Sequence, residues 1–268
     1  MKRKIAKLFK AIKILLKKPW LLNNVINDPE IFRKEVFVKH RMPHGLPQIE
    51  LKTLFPEFKE TVTPFAFLDG GSLPVDIALL KALASKYHVG DYFEIGTWRG
   101  ESVANVASVV NQCTTLCLPD ETLQQMNKTE DYIKSHGLFS KGIENITHLR
   151  GDSQTFDFSP YYKKFDMVFV DGDHHYHSVK NDTETAFKLI KNDSSIIVWH
   201  DYALTPESIR WDVMLGILDG CPREKKKNIY HISNTLCAVY LKDNFVVNFM
   251  KPYAQNIKPF TVTVEMHK

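Results

Sequence analysis

Glu94-Ile95-Gly96-Thr97-Trp98-Arg99-Gly100-Glu101-Ser102 is the stretch on which the fold turns. The apolar run Tyr92–Ile95 leads into it as a strand, and Val103, Val106, Ala107 and Val110 beyond it form one helical stripe. It therefore reads as a strand-to-helix turn. Gly96 permits a tight turn, and Gly100 a close approach of backbone to a ligand. A dinucleotide fold would carry Gly-x-Gly-x-x-Gly, the middle glycine leaving room for a pyrophosphate. Here Trp98 stands in that place and Glu94 precedes the loop, so a pyrophosphate would meet an indole and a repelling carboxylate. An acid there suits a ligand with ammonium or sulfonium charge.

Four more apolar runs follow: Thr114–Leu118, Ile146–Leu149, Phe165–Val170 and Ser195–Trp199. Between the last two, Val179, Thr183, Ala186, Phe187 and Ile190 share a helical face running to Asn192. Such βαβ alternation implies a mostly parallel sheet flanked by helices. The five runs end at Gly96, Asp120, Asp152, Asp171 and Asp201. A single terminal aspartate is an ordinary turn residue. Four at the carboxyl ends of parallel strands, where open sheets bind ligands, mark a site. Upstream, Pro74–Tyr87 has a helical face with Pro74 in its first turn. The end of the chain is strand-rich, at Leu236–Leu241, Phe245–Phe249 and Phe260–Val264.

Glu-x-Gly-x-x-x-Gly after the first strand resembles motif I of the class I S-adenosylmethionine-dependent methyltransferases. Val170-Asp171-Gly172-Asp173-His174-x-Tyr176 and Val198-Trp199-His200-Asp201 are similar to the subgroup of small-molecule and sugar O-methyltransferases. The resemblance spans roughly residues 75 to 242. It implies a Rossmann-like sheet with an antiparallel C-terminal strand, covering residues 66–268 behind an N-terminal extension of residues 1–65. It further implies that Gly96, Thr97 and Gly100 line the methionine part of the cofactor, with Glu94 near its charged end. Glu101 and Ser102 would start the helix that meets the cofactor's carboxylate. Asp120 would hold the ribose, Asp152 and Ser153 the adenine, and Asp171 would lie beside the methyl donor.

Methyl transfer is an in-line displacement at a sulfonium carbon, so the protein must align the acceptor and manage its proton. An alcohol acceptor needs a general base or a metal ion that lowers its pKa. His174 and His200 are the candidate bases, oriented by Asp173 or Asp201. In metal-dependent members of the family, the positions of Asp171, His200 and Asp201 hold the ion, which here would be Mg²⁺ or another divalent cation. A histidine replaces the usual acid of that set. A small hydroxylated acceptor, a sugar or glycolipid precursor, is the expected substrate. RNA or protein methylation and a non-catalytic Rossmann-like binding protein are the competing readings.

Charge is unevenly divided. Residues 1–20 hold eight basic residues, and the first acid in the chain is Asp28. Without those eight, 27 basic residues face 31 acidic ones, so the body is mildly acidic and gives no support to broad nucleic-acid binding. Within the arm, Ile5, Leu8, Phe9, Ile12, Leu15 and Leu16 recur at helical spacing among the lysines. The arm either lies on an anionic membrane surface or packs on its own domain or a second subunit. The lysines interrupt it too often for a spanning helix. A cytoplasmic enzyme, peripheral at the inner membrane surface in the first case, is expected. Cys113, Cys117, Cys221 and Cys237 form no CxxC pair and read as buried thiols.

Overall fold

The computed structural model describes residues 2–22, 26, 28–251 and 259–266. Its elements run α1 (Lys2–Lys17), α2 (Pro29–His40), β1 (Gln48–Ile49), α3 (Leu51–Leu54), α4 (Pro74–Lys86), β2 (Asp91–Ile95), α5 (Glu101–Ala107) and β3 (Gln112–Cys117). They continue with α6 (Asp120–Gln125), α7 (Glu130–Ser135), β4 (Ile146–Arg150), β5 (Met167–Val170), α8 (Tyr176–Leu189), β6 (Ile196–Trp199), α9 (Trp211–Gly220), β7 (Ile229–Ile232) and β8 (Ala238–Tyr240).

The strands form one sheet in the order β1-β7-β8-β6-β5-β2-β3-β4. All pairs are parallel except those of β8 with β6 and β7. This is the Rossmann-like arrangement the resemblance implies, with its antiparallel strand near the end of the chain. Along β2, β5 and β6 successive side chains point to opposite faces. Phe93, Ile95, Val168, Val170, Ile197 and Trp199 enter one core with α8 and α9, while Tyr92, Met167, Phe169 and Val198 enter the other with α4 and α5. Because both faces are covered, these strands are continuous apolar runs rather than alternations.

The chain steps from β2 outward through β3 and β4, then returns to lay β5 on the other side of β2. That reversal opens a crevice at the ends of β2 and β5, the position at which doubly wound sheets bind ligands. Register pairs Ile95 with Val170, so Gly96 and Asp171 stand side by side at its mouth.

Several expectations need correcting. Residues assigned to the extension are built into the sheet and its cores: Gln48–Ile49 pair with His231–Ile232, Val36 enters one core and Leu51 and Leu54 the other. Phe245–Phe249 is not a strand. Asn248 alone bridges back to Gln48, through bonds of 2.7 and 3.0 Å. Phe260–Val264 is not a strand either; its alternation meets no ladder among the described residues, and Phe260, Val262 and Val264 are exposed. The four cysteines are buried and free, as expected.

α9 was not legible beforehand. It packs on α8 through Gly216 and Gly220, one turn apart on the same face. A Cβ on Gly220 would lie 2.5 Å from the Lys180 carbonyl oxygen and 2.8 Å from Thr183 Cβ. Gly220→Val must therefore push the two helices apart, and urea denaturation should show a loss of about 1–3 kcal/mol. Stability equal to the unmodified chain would contradict this packing.

Candidate active site

Glu94 is fully buried on β2. Its carboxylate accepts from the Tyr92 hydroxyl at 2.9 Å and from the Thr115 hydroxyl at 3.0 Å. Burial, reinforced by the nearby Asp171 charge, outweighs those bonds and one from Ser102, and pushes this carboxyl up to about 7. A cation beside the pair would favour the charged form. The buried Thr97 hydroxyl bonds that of Thr115.

Gly96 has φ +103°, and a Cβ there would lie 2.1 Å from the Asp171 carbonyl oxygen. The bare Cα is thus required by the adjoining strand end, and it lets the two walls of the crevice meet. Gly100 also lies in the left-handed region, at φ +84°, but a Cβ there would meet Ser140 Oγ at 2.2 Å. The expectation that Gly100 clears space for a ligand is corrected: a protein hydroxyl fills that space.

Glu101 and Ser102 are likewise turned inward. Glu101 accepts from the Ala66 amide at 2.7 Å and pairs with Arg99 at 3.3 Å, and the Ser102 hydroxyl bonds Glu94. Arg99, itself buried, donates to the carbonyls of Leu68 at 3.1 Å and Asp69 at 2.8 Å. Asn105 adds two bonds, accepting from the Thr63 amide and donating to the Pro64 carbonyl. Residues 63–69 are thereby strapped across the start of α5. Beyond the strap, Ser72 reaches Asp171 at 3.5 Å. Trp98 packs against Tyr132, tilted, and against His136, edge to face, at centroid distances of 4.2 and 4.7 Å.

The third wall is His200, at the end of β6. Its buried imidazole sits among three carboxylates: Nε2 is 3.1 Å from Asp76, and Nδ1 is 3.2 Å from Asp171 and 3.4 Å from Asp201. Burial alone would lower its pKa, but the charge of Asp171 and the carboxylates of Asp201 and Asp76 hold it well above the ordinary value. Asp76, fully buried on α4, also accepts from the amides of Leu73 and Leu236 at 2.9 Å each. Asp201 is held down to about 2: burial opposes this, but His200, His174 and Arg210 prevail. Its backbone is left-handed, at φ +58°, a conformation that aspartate tolerates. His174, nearly half exposed on the rim, places Nδ1 3.0 Å from Asp201.

Glu94, Gly96, Asp171, His174, His200 and Asp201 therefore converge at the ends of β2, β5 and β6. Other expected residues do not join them. Asp173 binds His175 Nδ1 at 2.5 Å and the Ser178 hydroxyl at 2.7 Å, so it braces the start of α8 rather than orienting His174. The Asp120 carboxylate is half exposed and lies 3.5 Å from Arg150. Asp152 is exposed and accepts from the Gln154 amide at 2.9 Å, closing a turn. Trp199 is a core residue whose indole donates to Thr183 at 2.9 Å.

Three polar residues of the site had gone unrecognised: Asp76, Arg99 and Asp182. Asp76 and Asp182 lie within helices, where an acid normally marks a solvated face, and a break in the apolar pattern was their signal. Asp182 is fully buried. Its Oδ1 accepts from the Gln154 side chain at 3.3 Å, while Oδ2 has no partner and faces the backbone of Gly172. Burial pushes this carboxyl up to about 7, with Asp173 and Asp152 adding to it.

The buried Glu94 and the half-buried Asp171 at the crevice suit a cationic ligand such as a sulfonium. One oxygen or nitrogen from each of Asp171, His200 and Asp201 lies within 4.8 Å of the others, and His200 Nδ1 makes no aligned hydrogen bond. This donor set fits a divalent cation.

Residues 93–202 match the family described as a methyltransferase domain. No curated protein matches the chain. Among solved structures, the O-methyltransferase from Bacillus cereus in complex with SAH is 14% identical. It covers 82% of this chain and 94% of that one, with a TM-score of 0.41. TomG, an O-methyltransferase from Streptomyces achromogenes involved in tomaymycin synthesis and bound to SAM, is 16% identical over 65% and 82%, with a TM-score of 0.42. YcgJ from Bacillus subtilis is 16% identical over 47% of this chain, which spans about half (49%) of YcgJ, with a TM-score of 0.36.

The raised carboxyl of Asp182 sets a pH dependence. Between about pH 4 and 7 the unfolded chain ionises this group while the folded chain keeps its proton, so stability falls as pH rises through that window and levels off above it. Asp182→Asn should reduce that slope in denaturation measured from pH 4 to 8, the part that remains belonging to Glu94, whose carboxyl is raised to about 7 as well. An unchanged slope would contradict the assignment.

Proposed function

We propose that the chain transfers the methyl group of S-adenosylmethionine to a hydroxyl of a small acceptor. One observation carries the reading: the matched segment, residues 93–202, contains the whole convergent rim from Glu94 to Asp201. Glu94 and Asp171 supply negative charge at the mouth of the crevice, where a sulfonium or ammonium is stabilised. Gly96 lets the loop close down on Asp171. The strap over α5, held by Arg99, Glu101 and Asn105, fixes the loop in place and limits water on that side. When bound, the cofactor supplies an activated methyl: the bond from the acceptor oxygen forms as that from sulfur breaks.

The proton of the acceptor must leave as that bond forms. His200 is buried among Asp76, Asp171 and Asp201, so its ring is shielded from a substrate. His174 is on the rim, with Nδ1 against Asp201 and the remainder of the ring accessible. We assign His174 as the general base, Nε2 accepting the proton and Asp201 steadying the imidazolium. His200 becomes a positioning residue that sets Asp171 and Asp201.

A second reading is favoured by the unaligned Nδ1 of His200. Asp171, His200 and Asp201 would hold a divalent cation with Nε2 donating to Asp76, and the ion would lower the pKa of the acceptor hydroxyl. The acceptor class we infer is a hydroxylated sugar or glycan precursor.

Transfer of labelled methyl to a panel of hydroxylated acceptors, followed by mass spectrometry, tests the proposal. His174→Ala should lower kcat by about a hundredfold or more while leaving cofactor affinity unchanged. Dialysis against a chelator should leave activity intact. Loss of activity restored by a divalent cation would establish the second reading, and absence of transfer to every acceptor would overturn the substrate class.

A further inference from the structure

The helix α1 stands apart from the rest of the molecule. Neither hydrophobic core contains a residue of it, and its apolar side chains lie open. At about 100° per residue, Ile5, Leu8, Phe9, Ile12, Leu15 and Leu16 fall within an arc of about 120°. Arg3, Lys4, Lys7, Lys10, Lys13 and Lys17 lie on the remainder with Ala6, Ala11 and Ile14 between them, and no acid is among them. Phe9 is 68% exposed, Leu16 81%, and Trp20, just past the helix, 61%. A helix of this length is marginal in water unless its apolar face is covered.

Charge decides what covers it. Residues 1–27 carry eight basic side chains and no acid, so a second copy of α1 would set one strongly positive face beside another. A protein groove would bury the apolar arc but leave most of the lysines unpaired in solvent. An anionic lipid surface satisfies both faces at once: acyl chains take the apolar arc, headgroup phosphates take Lys4 and Lys13 that flank it, and the surface charge attracts the lysines farther round the helix. The body carries 27 basic against 31 acidic residues, so such a surface repels it and α1 must make the contact. Among the described residues no helix is long and apolar enough to cross a membrane.

We propose that α1 binds in the plane of an anionic lipid bilayer and holds the folded domain at its surface. The proposal is independent of the methyl-transfer reading. Vesicles of phosphatidylcholine with about one-third phosphatidylglycerol, and vesicles of phosphatidylcholine alone, would be floated with the full chain. The variants are Lys7→Glu/Lys10→Glu/Lys13→Glu and Phe9→Asp. All four positions are exposed, so unchanged thermal unfolding of the body serves as the folding control. The full chain should float with the anionic vesicles and remain in solution with the neutral ones. Charge reversal should weaken binding by more than about a hundredfold, and Phe9→Asp should also reduce it. Equal binding to both vesicles, binding to neither, or an unaffected charge-reversed variant would overturn the proposal. So would a dimer of the unmodified chain, seen by sedimentation, that the charge-reversed variant lacks.

Discussion

The buried imidazole of His200, enclosed by Asp76, Asp171 and Asp201, is the interaction on which the site depends. One ring joins α4, β5 and β6, and Asp76 extends the network to the amides of Leu73 and Leu236. Separately, each of these acids would be costly to bury; around a shared cation each lowers the cost of the others. Removing one partner leaves an uncompensated charge, typically about 3–5 kcal/mol. The arrangement also fixes where carboxylate oxygens face the crevice. The same oxygen of Asp201 meets both His200 and His174, so the buried cluster is joined directly to the exposed imidazole of His174.

Opposite that cluster, Gly96 allows the end of β2 to close against Asp171, while Glu94 waits below as a buried acid with a pKa near neutrality. Asp171 is shared by both halves. It faces His200 on one side and raises the Glu94 carboxyl on the other, so it ties the two sides of the crevice together. The strap of residues 63–69 closes over the third side through Arg99, Glu101 and Asn105, so the site draws on chain well upstream of the matched segment.

Much of this was legible in the primary structure. The apolar runs of β2 through β6 are continuous because helices cover both faces, and their polar ends fall on one rim because the strands are parallel. That logic located Asp171, His200 and Asp201 correctly beside Gly96. It failed where a side chain's partner lies far along the chain. Asp76 is 124 residues from His200, and the inward turn of Glu101 depends on Ala66. It also misjudged Asp173, which binds His175 and Ser178 rather than orienting His174, and read strands into Phe245–Phe249 and Phe260–Val264 from alternation alone. A strand needs a partner edge, and none meets the second segment among the described residues.

The N-terminal arm that contains α1 carries eight bases and no acid, while the rest of the chain is mildly acidic. The central claim is that the crevice between β2 and β5 is a sulfonium cofactor site. Calorimetric titration of the full chain with S-adenosylmethionine and S-adenosylhomocysteine tests it most directly. One binding event per chain with each ligand, abolished by Gly96→Val in a chain that still unfolds cooperatively, is the predicted result. No heat with either ligand in the unmodified, folded chain would contradict it.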